Sequence, residues 1–359
     1  MDREERTSLR RSLSRWCERE AARLTQLEKG RTGPAEWDWL YAELEELGVL
    51  QLLFDEDTRH ELDTVAETAN CLAACSPSVA LLVVQQNLAA RLLGDARAER
   101  PRGWVALPLY DGAVEWRHQL RVTAEGDGYR ARGRWSSIPA LPIASTLLLP
   151  LVSAGGADFA LVALSLAPAP ASVARGPAVE TLGLRGCPIA DLTCTDTLFT
   201  TAEVIARGAG ARRTTEALWS QAEVLVLAVR AGILERSYSV ARDYAQVRWQ
   251  GKKLIHEHSL VQRMLADLYG AHRAADERWR ALSATLTPEE PLTDGQLSAS
   301  AGFAGELARL ASDGIQLLGG YGYMEEFGQE RLFRDAKQCE MLLGHPQAKR
   351  FSLWRRETH

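Results

Sequence analysis

The sequence predicts an α+β protein of three successive segments. An α-helical domain is expected over residues 1–102, a small β-domain (barrel or sandwich) over 103–211, and a four-helix bundle over 212–359. Two changes of period carry this reading. Apolar residues recur at helical intervals up to about Gly103, then alternate with period two, and return to the helical period at about Arg212. Pro and Gly also punctuate the middle segment every 8–12 residues, as short strands require.

In the first segment Leu9, Leu13, Trp16, Ala21 and Leu24 fall on one helical face. A second helix is expected from Trp37 to Leu53, with Pro34 just before its start, and a third pattern runs from Leu62 to Leu93, broken at Ser76–Pro77. In the middle segment Leu120 and Val122, then Tyr129 and Ala131, alternate on either side of Gly126–Asp127–Gly128. STLLLPLV, ADFALVALSL and LTCTDTLFT follow as further strands, in the manner of a small closed or stacked sheet. In the last segment the helices are expected at Thr214–Val247, Ile255–Leu282, Leu297–Leu318 and Glu330–Leu343, joined by short connections as in an antiparallel bundle.

Composition is that of a soluble protein large enough for a sizeable core. Its net charge of −5 comes from 42 basic and 47 acidic residues with no long block of one sign, which argues against nucleic acid as a partner. The charged N-terminus reads as lacking a signal peptide, and no apolar run reads as a membrane span, so a cytoplasmic location is expected. Cys17, Cys71, Cys75, Cys187, Cys194 and Cys339 lack zinc spacing and read as free thiols in a reducing compartment; no metal site is expected.

One stretch reads as a site. In QLLGGYGYMEEFGQERLFRDAK, residues 316–337, Gly319, Gly320 and Gly322 break two helical patterns. Glycine there permits positive φ and close approach to the backbone. A helix cap and turn would explain the glycines alone, but the turn also carries Tyr321, Tyr323 and a dense alternation of charge.

These residues resemble the C-terminal signature of the acyl-CoA dehydrogenase family, flavoenzymes that desaturate acyl thioesters. VRWQGKKLIHEHSLVQRMLADL, residues 247–268, is similar to a second family segment, and LGLRGCPIADLTCTDTLFTTAEVI, residues 182–205, to a third. The resemblance implies the acyl-CoA dehydrogenase-like fold, with FAD bound across a subunit interface. It implies that Gln316, Gly319 and Gly320 lie against the adenine-diphosphate half, and that Arg248 reaches the diphosphate from the neighbouring subunit. A guanidinium suits that role because it pairs bidentately with phosphate oxygens, whereas a lone Arg at a helix end also compensates the helix dipole. Gln250, His258 and Gln347 match further family positions, while Gly251 falls one place early and Ser259 replaces a Gln.

On the flavin-ring side the match weakens. LPLYDGAV, residues 107–114, replaces a Gly-Ser-containing segment, and Ser137 stands in the family's aromatic-Ile-Thr segment. Trp135 is open to two readings, a core tryptophan or an aromatic face for the ring. The loops FDEDTRHELD and GDARAERPRG are also shorter than the family's.

The family's catalytic base is a Glu just before Gly-Thr. Here EMLLGHPQAKR puts Leu343 at that position and His345 at the Thr. Desaturation needs a carboxylate of raised pKa at the α-carbon, and Leu343 cannot take a proton. The alternative family position for the Glu, on the first bundle helix, is Ala222; Glu223 beside it is rotated by about 100° and reads first as a surface residue. Three readings stay open. The chain is a diverged, base-less subunit beside a catalytic homologue, a homomeric flavoenzyme with a relocated base, or a flavin-free structural homologue. A homo-oligomer or heteromer is expected, with acyl-CoA or an acyl-carrier-protein thioester as substrate.

Overall fold

The computed structural model describes residues 3–30, 32–54, 62–97, 100–111, 119–153, 156, 158–287 and 291–358. Most of the FDEDTRHELD loop, the end of LPLYDGAV and part of GDARAERPRG fall outside them.

Helices α1 (Arg3–Arg19), α2 (Ala21–Glu28), α3 (Pro34–Glu46), α4 (Leu62–Cys75) and α5 (Pro77–Arg97) come first. The break at Ser76–Pro77 is an N-cap: Val79 N–H donates to Ser76 Oγ at 3.3 Å, and Pro77 takes the first helical position, where no N–H is needed. The helix expected to reach Leu53 stops at Glu46. Gly48, at φ 69°, turns the chain, yet Val49, Leu50 and Leu53 stay buried, so the apolar pattern outlasts the helix.

The middle region is two four-stranded sheets. With β1 Val105–Ala106, β2 Leu120–Glu125, β3 Gly128–Pro139, β4 Thr146–Val152, β5 Phe159–Ser165, β6 Val173–Arg175, β7 Ile189–Phe199 and β8 Val204–Arg207, the orders are β1-β4-β5-β8 and β2-β3-β7-β6. Strand β4, TLLLPLV, is buried almost throughout, which is why it reads as a continuous apolar run, whereas β2 alternates.

Helix α6 (Gly208–Val247) runs through the centre of the C-terminal region and packs on α4, α5 and β5. It is apolar enough over its middle to resemble a membrane span, but that window is entirely buried in the protein, which makes it a core helix. A short hairpin, β9 (Trp249–Gln250) and β10 (Lys253–Leu254), leads to a 3₁₀ turn at Ile255–Glu257 and to α7 (Ser259–Thr285). The expected Leu297–Leu318 helix is two helices, α8 (Asp294–Ala304) and α9 (Leu307–Leu318), parted at Gly305–Glu306 where tight turns replace the α pattern. Helix α10 (Gln329–Cys339) is followed by α11 (Pro346–Thr358), which packs on α8.

The LGLRG segment joins sheet to bundle. Leu184 N–H donates to Asp335 Oδ1 of α10 at 2.7 Å. A Cβ on Gly183 would fall 2.2 Å from the Arg334 carbonyl oxygen, so glycine is required for this approach. Asp335 is buried, its Oδ2 has no hydrogen-bond partner among the described residues, and burial together with the nearby Glu28 charge pushes its pKa up to about 7.

Candidate functional site

Two regions of different character meet the expected site residues. The first lies where α6 ends and α9 gives way to the glycine turn. Helix α9 stops because Gly319 takes φ 59°, ψ −133°, a conformation only glycine adopts without strain. A 3₁₀ turn follows over Gly319–Tyr323. A Cβ at Gly319 or Gly320 would meet nothing within 4 Å among the described residues, which leaves the backbone there open to close approach. Arg248 sits exposed beyond the end of α6 with its guanidinium 5.7 Å from the centre of the Tyr321 ring. Tyr321 is held in turn by Tyr244, 6.0 Å away, and Phe327, 4.9 Å away.

The next residues order this edge. Gly251 and Lys252, at φ 64° and 66°, form a two-residue hairpin turn between β9 and β10. His258 caps α7, and its Nε2–H donates to the Gln250 carbonyl oxygen at 3.0 Å. Gln250 and Gln316 are exposed. Arg248 thus stands beside the Gly319–Tyr323 turn, and His258 is tied to Gln250 at the hairpin that follows Arg248, while Gln316 is exposed on the last turn of α9. Ser137 and Gln347 lie elsewhere. Ser137 is exposed on a bulge of β3 at φ 60°, its N–H bound to Asp191 Oδ1 at 2.8 Å. Gln347 is exposed on the first turn of α11, where its N–H donates to His345 Nδ1 at 3.2 Å. His345 therefore caps α11.

The second region is the position of the expected base, and it is closed. Leu343 is 1% exposed, at φ 64°. Its N–H donates to the Leu109 carbonyl oxygen at 2.6 Å, and Gly344 N–H to that of Tyr110 at 3.2 Å. Tyr110 Oη accepts from Gln338 at 3.0 Å. Asp111 accepts from the Trp135 indole through Oδ2 and from the Trp219 indole through its carbonyl, 3.2 Å away. Trp135 is buried core, which settles its two readings against an exposed face for a ligand. Burial raises the Tyr110 phenol well above its usual value of 10, so it stays protonated.

Beneath Leu343, Arg230 of α6 is fully buried, donating Nη2 to the carbonyls of Cys339 (3.0 Å) and Leu342 (3.3 Å). Its Nε and Nη1 have no hydrogen-bond partner among the described residues, and burial lowers its pKa. This cation within the apolar run VLVLAVRAGIL is the one signal in the sequence that the region is unusual.

The expectation for Glu223 is corrected. It is 5% exposed, not a surface residue. Its Oε1 pairs with Lys349 Nζ of α11, and its Oε2 accepts from Ser300 Oγ of α8 at 3.0 Å. The unforeseen α11 supplies the partner that makes burial of this carboxylate tolerable. Ala222 is also fully buried.

A cavity of about 310 Å³ opens between α5 and α6, lined by Arg91, Leu92, Asp95, Arg213, Thr214, Leu218 and Gln221 among others. Arg91 Nε pairs with Asp95 at 3.6 Å, so the wall carries a compensated guanidinium beside Arg213, and it ends at Gln221, one residue from Ala222.

The fit of a flavin dinucleotide differs between the regions. The open glycine backbone and the exposed Arg248 suit a diphosphate. The Leu343–Leu109 region is packed core and does not fit a reacting ring and thioester.

Residues 208–356 match the family model for the acyl-CoA dehydrogenase C-terminal domain. A probable acyl-CoA dehydrogenase of Mycobacterium tuberculosis is 29% identical over 176 residues, which is 49% of this chain and 45% of that protein. The chain therefore matches about half the length of such curated relatives. Butyryl-CoA dehydrogenase from Megasphaera elsdenii superposes with a TM-score of 0.81 at 18% identity, covering 99% of this chain and 98% of that one. The prolyl acyl carrier protein oxidase AnaB superposes at 0.84 and 14% identity, covering 99% of both. At such identities these likenesses establish the fold.

Proposed function

We propose that the chain is an acyl-CoA dehydrogenase-like protein, on the match of residues 208–356 to that family's C-terminal domain, and that it is a flavoprotein subunit serving the α,β-dehydrogenation of an acyl thioester without itself supplying the base. The observation that carries this is the contrast between the two regions. The nucleotide face is open and cationic, while the base position is occupied by a leucine sealed against Leu109.

Arg248 and the Gln316–Gly320 turn would hold the FAD diphosphate and adenosine, with Gln250 and His258 ordering the edge beside them. FAD, when bound, supplies the hydride acceptor. Arg248 is expected from the sequence to reach the diphosphate from the subunit opposite the glycine turn; this chain instead brings the two together at Tyr321, so both would serve the same end of a cofactor shared with a second subunit. Glu223 is committed to Lys349 and Ser300, which argues against a relocated base. The α5–α6 cavity, with Arg213 and an Arg91 paired to Asp95 beside an apolar wall, would receive part of a thioester carried on coenzyme A or a carrier protein. The proton at the α-carbon would then be taken by a homologous partner with an intact Glu.

The test is Arg248→Ala at limiting FAD. Loss of a charge-assisted bidentate contact should cost on the order of 2 kcal/mol, or about thirty-fold in flavin affinity. Unchanged flavin occupancy, by absorbance of the purified oligomer, would count against the assignment.

A further inference from the structure

Arg248 carries an uncompensated charge. Among the described residues its guanidinium forms no ion pair and no hydrogen bond, and it stands over Tyr321, 5.7 Å from the ring centre. Arg207, Arg212, Arg242 and Arg280 also lie over rings, but each gives N–H groups to an oxygen as well, on Asp127, Gly156, Asp243 and Asp276 in turn. Two carboxylates on the same segments as Arg248 and Tyr321 are engaged elsewhere. Asp243, five residues before Arg248, pairs with Arg242 at 2.7 Å, and Glu325, past the glycine turn, pairs with Lys29 at 3.1 Å.

The ring is the rigid member of the contact. Tyr321 lies between Gly320 and Gly322, and a Cβ on Gly322 would fall 2.4 Å from the Ile315 carbonyl oxygen, so the turn packs directly on α9. Tyr244 of α6 and Phe327, just ahead of α10, are both partly buried against the core, and their centroids lie 6.0 and 4.9 Å from that of Tyr321. Three segments of the chain therefore fix the ring. The Tyr321 hydroxyl forms no hydrogen bond among the described residues, which leaves the ring itself as the contact to Arg248.

We propose that Tyr321 is the positioning residue for Arg248, holding the guanidinium by its ring face so that the N–H donors stay free for the phosphate oxygens of a dinucleotide. The proposal rests on the flavoprotein reading above. A carboxylate partner would take up N–H donors in a bidentate pair, whereas an aromatic face takes up none. The contact also restricts a long, exposed side chain before the ligand arrives, which lowers the entropy lost on binding.

The experiment titrates FAD into the purified full-length protein stripped of flavin and reads the dissociation constant by flavin fluorescence. Tyr321→Leu should weaken binding about two- to five-fold, the worth of an exposed cation–π contact, and Tyr321→Phe should bind as wild type does. In an Arg248→Ala background Tyr321→Leu should change nothing further, because the ring acts only through the guanidinium. A turn merely loosened by the substitution would weaken binding equally in both backgrounds. Phenylalanines of increasing fluorination at position 321 drain charge from the ring face at nearly constant shape, so affinity should fall stepwise along the series. That series decides the matter if Tyr321→Leu does not fold. Wild-type affinity in Tyr321→Leu or across the fluorinated series, an equal loss in Tyr321→Phe, or a loss undiminished in Arg248→Ala would each overturn the proposal while the flavin reading stands. Arg248→Ala binding FAD as tightly as wild type, or a wild type that binds none, would overturn that reading and the proposal with it.

Discussion

Removing Lys349 tests whether Glu223 is structural. The carboxylate is 5% exposed, and it has two partners, Lys349 Nζ and Ser300 Oγ. Lys349→Met leaves a buried carboxylate with only the hydroxyl. Breaking a fully buried pair costs about 3–5 kcal/mol. The Lys349 side chain is 18% exposed and the Ser300 bond survives, which places the loss lower, at about 2–3 kcal/mol. Glu223→Gln with Lys349→Met removes both charges and keeps an acceptor for Ser300, so the double variant should lie within about 1 kcal/mol of wild type. The double variant's loss minus the sum of the two single losses should therefore be a coupling of about 1 kcal/mol or more in magnitude. Urea unfolding followed by tryptophan fluorescence reads each corner of the cycle. A Lys349→Met loss below about 0.5 kcal/mol with no coupling would refute the ion pair, and it would return Glu223 to candidacy as a base.

Three further outcomes are expected. Asp335, raised from 3.8 to about 7, contributes stability that is complete below pH 3.8 and lost as pH rises through about 7. Asp335→Asn should therefore flatten the fall in stability between about pH 4 and 7, a span worth up to about 4 kcal/mol at 1.4 kcal/mol per tenfold, measured by urea midpoints across pH; an unchanged pH profile would contradict it. Gly319→Ala places a side chain at φ 59°, ψ −133°, where strain of roughly 1–3 kcal/mol should deform the turn and lower flavin retention at limiting FAD. Leu343→Glu buries a carboxylate at a site 1% exposed, so it should cost about 2–4 kcal/mol in urea and restore at most partial acyl-CoA oxidation.

Much of the fold was legible because periodicity reports burial directly. The shift to period two, the Ser76–Pro77 cap and the length of α6 all follow from local residue patterns. Errors arose where burial and helix part company. Val49, Leu50 and Leu53 continue the apolar pattern of α3 after Gly48 has ended it. Helix α11 carries PQAKRFSLWRRET, too charged for an apolar stripe, although Pro346 at its first position was a start signal. At the candidate site the break itself was legible, because Gly319 ends α9 at φ 59°, where a side chain would be strained. The site was not legible where a side chain's state depends on distant partners. Glu223 is buried because of Lys349, 126 residues away, and nothing local to ALWSQAEVL announces it. The sealing of Leu343 likewise depends on Leu109, on another domain-length segment of the chain.

The most direct measurement of the central claim is anaerobic reduction of bound FAD by a panel of acyl-CoAs, followed by absorbance bleaching. The purified chain alone should bleach slowly or not at all, because a well-placed base contributes about 10²–10⁴-fold in rate and position 343 has none. Adding a homologous subunit with an intact Glu should restore rapid bleaching. Rapid bleaching by the chain alone, abolished in Glu223→Gln, would contradict the account.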